Sequence, residues 1–183
     1  MKSPKVYIIA GAILLLILLN SKNMSAAAAE LLIRKFEADN DVKKYLKAYK
    51  DSAGIWTIGW GSIWNYDLKR RVQQGDVIDE DTALRWMKIE LSSLIPKIKA
   101  FIKVPITSNE EGALISLAYN IGPEALKNST LIKLLNAGAP RTQVAEEFLK
   151  WNKARNPATG KLEPLNGLTK RRIAEKELFL KQA

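Results

Sequence analysis

Apolar residues follow three different patterns along this chain. Val6 to Leu19 is an unbroken apolar run of 14 residues, with Lys2 and Lys5 before it and Asn20, Ser21 and Lys22 after it. Elsewhere the apolar positions recur at three- and four-residue steps, which is the period of an amphipathic helix. Such spacing predicts a helix over Ala26–Phe36, with Ala27, Leu31 and Phe36 broadly on one side. It also predicts a long helix from Asp79 to Phe101, whose apolar stripe is Leu84, Met87, Leu91, Leu94, Ile98 and Phe101 and which Pro96 should kink. Ser108-x-x-Glu111 reads as a capping box opening the next helix, which Gly122 and Pro123 close. Further helices are expected over Thr130–Asn136, capped by Ser129, over about Thr142–Trp151, and over Leu168–Leu180 after an NPATG turn. The third pattern occurs once: from Tyr45 to Trp60, two short aromatic and β-branched runs flank Asp-Ser-Ala-Gly, as in a hairpin. ADNDVKK, between the first helix and this hairpin, reads as a polar loop. One small hairpin among six or so helices makes the fold class α+β.

The long apolar run divides the chain. It has the length of a signal-peptide core and falls short of the ~20 residues of a bilayer span. Its leading lysines keep the amino terminus cytoplasmic and send the remainder outward. Residues 1–24 are therefore expected to form a signal or anchor segment, and residues 25–183 a single catalytic domain. Ala26 and Ala28 offer an A-x-A cleavage site, while retention as an anchor and later release from the membrane are the other two fates.

Composition then narrows the chemistry. The chain has 183 residues with no cysteine and no histidine, which excludes disulfides, thiolate sites, and Ser-His or Cys-His catalysis. Neither a metal nor a cofactor is expected. Carboxylates remain as the acid–base groups. The net charge is +10, and the part beyond residue 24 still holds 26 basic against 19 acidic residues. That excess suits an anionic partner. The tight basic clusters, KRR at 69–71 and 170–172, are too few to argue for nucleic acid.

Glycoside hydrolysis needs a carboxylic acid to protonate the leaving oxygen, and a second carboxylate across the anomeric carbon. The acid belongs in a partly desolvated place and its partner in a polar one. Glu37 follows an apolar helix end beside Phe36, whereas Asp51 stands at the hairpin turn near the hydroxyls of Ser52 and Thr57. Two acids among 19 discriminate little by themselves. The wording around them is more specific. IRKFE at 33–37 and LKAYKDSAGIWTIGWG at 46–61 resemble the catalytic segment of the phage-type lysozymes, glycoside hydrolase family 24. EEGALISLAYNIGPEALKNSTLIKLLNAG at 110–138 and GLTKRRIAEKELFL at 167–180 are similar to that family's central and terminal helices.

The resemblance implies a lysozyme-like fold: a small β-hairpin lobe and a larger helical lobe joined by a long helix beside a sugar-binding cleft. It implies a muramidase that cuts the β-1,4 bond between N-acetylmuramic acid and N-acetylglucosamine in peptidoglycan, and so lyses a bacterial host. Glu37 would be the general acid, Asp51 would hold or activate water, Thr57 would help position it, and Arg171 would pair with the acid; Arg172 is the lesser claimant. Trp60 and Asn120 are expected to line the cleft. The partners implied are peptidoglycan and, through the amino-terminal segment, the bacterial inner membrane, with the enzyme a monomer. Its catalytic domain would face the periplasm, held or released in the manner of signal-anchor-release endolysins, or would sit in a virion membrane.

Two departures from the family stand out. Thirteen residues separate Glu37 from Asp51, more than the family uses. The family's shorter connection, counted back from Asp51, lands beside Asp41, which is the rival acid. Ser62 also stands where the family often has histidine. The altered spacing leaves a lytic transglycosylase as an alternative, and a non-catalytic wall-binding module as an alternative of another class.

Overall fold

The computed structural model describes residues 24–38, 41–51, 54–155 and 159–182. The expected targeting segment lies outside the described residues but for Met24, and among the described residues no helix is long and apolar enough to cross a membrane.

Helix α1 covers 24–38 and leads into a 3₁₀ turn at Val42–Tyr45. Three antiparallel pairs of short strands follow along the chain: β1 (Tyr49–Lys50) with β2 (Trp56–Thr57), β3 (Trp64–Asn65) with β4 (Arg70–Arg71), and, far downstream, β5 (Lys153–Arg155) with β6 (Leu162–Pro164). The helices are α2 (Glu80–Lys99), α3 (Ser108–Ile121), α4 (Pro123–Lys127), α5 (Thr130–Asn136), α6 (Arg141–Glu146) and α7 (Asn166–Leu180). The expected Tyr45–Trp60 hairpin forms in the register Tyr49↔Thr57. It is not the only β-structure, however. The other pairs are two or three residues long, too short to show an alternation in sequence.

Helix α3 lies at the centre. Every residue from Glu110 to Ala118 is buried, as expected for a helix enclosed on all sides. It packs against α7, α2 and α4. Its start is one residue earlier than the sequence suggested: Thr107, not Ser108, is the cap, its hydroxyl accepting from the Glu110 backbone while Glu110 accepts from the Thr107 N–H. Helix α1 crosses α3 at Gly112, where a Cβ would sit 2.9 Å from Ala28 Cβ and 3.1 Å from the Ser25 carbonyl oxygen. So close an approach admits only small residues. This explains a correction: α1 buries Ser25, Ala29 and Ile33, whereas Leu31, expected inside, is 69% exposed. Ala27 is likewise exposed.

The strands β1–β4 build a small lobe with its own core of Ile58, Val72 and Trp86, the last supplied by α2. Its far end is tied by Asp76, whose carboxylate accepts two hydrogen bonds from Arg70 (2.8 and 2.7 Å) and one from the Gln73 N–H (3.1 Å). The Arg70 fork holds the Asp76 carboxyl at about 2, against an ordinary 3.8. A depressed carboxylate stabilises the fold above its unfolded pKa and loses that contribution as pH falls through the folded value. Asp76→Asn should therefore destabilise the fold at pH 7, by about 1 kcal/mol once solvent screening of this near-surface pair is allowed for. In urea titrations across the acid range the gap to wild type should close as pH falls towards about 2. A pH-independent gap would show that the ion pair is not its source.

Candidate active site

Glu37 sits in the last turn of α1, its side chain 21% exposed. One oxygen, Oε1, accepts from Arg171 Nη1 at 2.5 Å. The other, Oε2, faces the turn after β2, 3.3 Å from where a Cβ on Gly61 would stand. Gly61 has φ +96°, in the left-handed region, and only a residue lacking a side chain leaves that carboxylate its place.

Asp51 ends β1. Its Oδ1 accepts from the Ile55 N–H at 2.8 Å, and its own N–H bonds the Ile55 carbonyl, so the carboxylate is fixed by the hairpin turn itself. Thr57, buried on β2, donates to the Ile55 carbonyl at 3.1 Å. Glu37, Asp51, Thr57, Tyr49 and Asn120 line one cleft of about 210 Å³. Burial first, then the charges of Glu37, Tyr45 and Asp51, push the Tyr49 phenol up to about 12. It therefore stays a proton donor beside both carboxylates. Asp41, the rival acid, is exposed and caps the 3₁₀ turn through a bond from the Lys43 N–H, away from these residues. The longer connection is accommodated because Val42 is buried in the main core and anchors it.

Behind Glu37 lies a charged layer of which the sequence pattern revealed only Arg171 and Arg172. Arg171, 3% exposed, also reaches Glu175 and the Ser116 carbonyl. Arg172, a substitute for Arg171 on sequence grounds, has its own place: it donates to Asn120 Oδ1 at 3.0 Å and pairs with Glu175 at 2.7 Å. Asn120 is thus both a cleft residue and a held one. Burial pushes the Glu175 carboxyl up, opposed by the two arginines and by the Ser116 hydroxyl. Trp60 corrects an expectation. It is 3% exposed, belongs to the main core, and is overlain by Arg34 at 5.4 Å, so it offers no surface to a sugar.

Glu90 of α2 and Tyr119 of α3 join the site without any signal in the sequence. Glu90 accepts from Tyr119 at 2.6 Å and from Ser62 at 2.7 Å, and both Glu90 and Tyr119 line a groove of about 400 Å³ that continues the cleft past Gly61 and Ile63. On the opposite side Glu37 and Asn120 open into a trough of about 710 Å³ along the start of α7. The three together make an elongated trough, a shape suited to a polymer with the carboxylates at its middle. Among the described residues no cluster of acidic side chains could hold a metal ion.

An elongated cleft with a carboxylate from the first helix facing a hairpin Asp defines a glycoside hydrolase of the lysozyme type. The phage lysozyme family matches residues 42–175, and the chain belongs to it. It is a peptidoglycan hydrolase, a muramidase that degrades the bacterial wall. It is 41% identical to an endolysin of Acyrthosiphon pisum secondary endosymbiont phage 1 over 75% of this chain and 91% of that one. It is 34% identical to a SAR-endolysin of Escherichia phage N15, over 65% of this chain and 71% of the relative. Among solved structures, the endolysin of Escherichia coli O157:H7 phage FAHEc1 superposes with a TM-score of 0.73 at 37% identity, covering 84% of this chain and 90% of that one. The family match contains Asp51, Thr57 and Arg171 and begins after Glu37.

Gly61→Ala should lower wall-clearing turnover at least about tenfold, because the new Cβ pushes on Glu37 Oε2. The left-handed backbone should also cost about 1 kcal/mol of stability. Unchanged turnover in a folded variant would show that Glu37 does not depend on this turn.

Proposed function

We propose that Glu37 is the general acid of this muramidase and that Asp51 holds or activates the attacking water, with Thr57 beside it. The supporting observation is that Glu37, fixed by Arg171, shares one cleft with Asp51 and Thr57 despite the long connection between them. In this reading the glycan lies along the trough, and Glu37 protonates the glycosidic oxygen as the bond to the anomeric carbon breaks. Water on the other side, oriented by Asp51, adds to that carbon and returns a proton. Arg171 keeps the Glu37 carboxyl from rotating away, and Asn120 offers the sugar an amide already oriented by Arg172.

The roles separate cleanly by mutation. Glu37→Gln and Asp51→Asn should each reduce hydrolysis of purified wall by at least about a hundredfold, while Asp41→Asn stays near wild type. An inactive Asp41→Asn beside an active Glu37→Gln would move the acid to Asp41. Mass spectrometry of the released muropeptides should give reducing ends; anhydro ends would mean a lytic transglycosylase.

The amino-terminal segment in this reading delivers the catalytic domain outward across the host inner membrane. Its apolar run after two lysines supports this, as does similarity to relatives named SAR-endolysins. Fractionating expressing cells and sequencing the amino terminus of soluble enzyme separates cleavage, release and retention.

A further inference from the structure

Glu90 is a partly buried carboxylate with no part in the acid–base chemistry of Glu37 and Asp51. Its Oε1 accepts from Ser62 at 2.7 Å and lies 3.5 Å from the Tyr66 hydroxyl, and its Oε2 accepts from Tyr119 at 2.6 Å. None of these groups that touch it is a cation. A desolvated carboxylate without a cation is costly and is tolerable only when hydroxyl donors saturate it.

What those donors belong to gives the arrangement its meaning. Ser62 closes the turn that follows β2, its backbone paired with Ile58. Tyr119 projects from α3, its hydroxyl also 2.9 Å from the Trp60 carbonyl and its ring 3.9 Å from where a Gly61 Cβ would stand. Glu90 therefore ties α2, α3 and the 59–62 turn into one unit, and that turn is the surface against which Glu37 Oε2 rests.

We propose that Glu90 is a positioning residue for the hydrolysis: by accepting from Ser62 and Tyr119 together, it holds the 59–62 turn against Glu37. This rests on the reading of Glu37 as the acid. The ionised carboxylate can accept both hydroxyls. A protonated one carries a hydrogen of its own and is a weaker acceptor, so the hydroxyl facing the protonated oxygen is held less tightly, and the Trp60 carbonyl competes for Tyr119. Burial, followed by the charge of Glu37, raises the Glu90 carboxyl above the ordinary carboxylate range. Tyr119 is raised as well, chiefly by burial, and stays a donor throughout. The titratable and charged groups around Glu90 are Tyr66 from the small lobe, Tyr119 from α3, Glu37 from α1, and Lys97 farther along its own helix.

The test uses Glu90→Gln, Tyr119→Phe and the double variant, with kcat and KM measured on soluble peptidoglycan fragments across pH and melting followed in parallel. Each single variant should lower kcat about tenfold with KM little changed, and the double should lose no more than either single. The acid limb of the wild-type profile should contain an ionisation that Glu90→Gln lacks. The proposal is overturned if kcat is retained, if activity falls only in step with the folded fraction, if the two losses multiply, or if the acid limb is the same in Glu90→Gln. Full activity in Glu37→Gln is a separate outcome: it would overturn the assignment of the acid, on which the proposal rests.

Discussion

A guanidinium buried beneath the cleft governs this structure. Arg171 is 3% exposed, and a cation so placed must be matched by anions and carbonyls or it costs several kcal/mol. The matching groups come from three helices: Glu37 from α1, Ser116 from α3, and Glu175 one turn on in α7 itself. Glu175 in turn requires Arg172, and Arg172 fixes Asn120. The layer thus sets the spacing of α1, α3 and α7, and it presents one Glu37 oxygen to the cleft while occupying the other. Removing a single member would leave its neighbours charged and unpaired, so the network is cooperative in stability as well as in geometry.

The second constraint is the small lobe, which must bring Asp51 opposite Glu37. Its own core is three residues, one of them borrowed from α2, so it cannot be positioned by apolar packing alone. Polar ties hold it instead, Arg70 with Asp76 at its far end and Glu90 with Ser62 and Tyr119 at the end facing the cleft. The same trough separates the two halves, and these hydrogen bonds tie its walls together.

Much of this was legible in the sequence where a local rule governs. Asp79 and Ser129 cap their helices through bonds to the backbone three residues on, as their types predict. The Tyr45–Trp60 hairpin and the acid within it follow from β-branched runs about a turn. Local rules failed where a distant partner decides. Leu31 is as apolar as any core residue, but the closeness of Gly112 turned the alanine face inward instead. Trp60 reads as a cleft residue until it is buried in the main core with Arg34 of α1 over its ring. Glu90 is one acid on an amphipathic helix, and the hydroxyls that give it a role stand 28 and 29 residues away.

The long connection between Glu37 and Asp51 shows the same division more sharply. If local spacing placed the two carboxylates, added residues would have driven them apart. The partners of Glu37 are not local. Arg171 is 134 residues downstream, and the Gly61 turn is held from α2 and α3. Asp51, for its part, is fixed within its own hairpin by Ile55. Each carboxylate is therefore anchored independently of the chain that joins them. That chain needs only to bridge the gap, and burying Val42 while Asp41 caps a turn at the surface is enough. A loop so relieved of positional duty can change length without moving the chemistry. Across this fold, then, the separation of the two carboxylates in sequence carries less information than the residues each one touches.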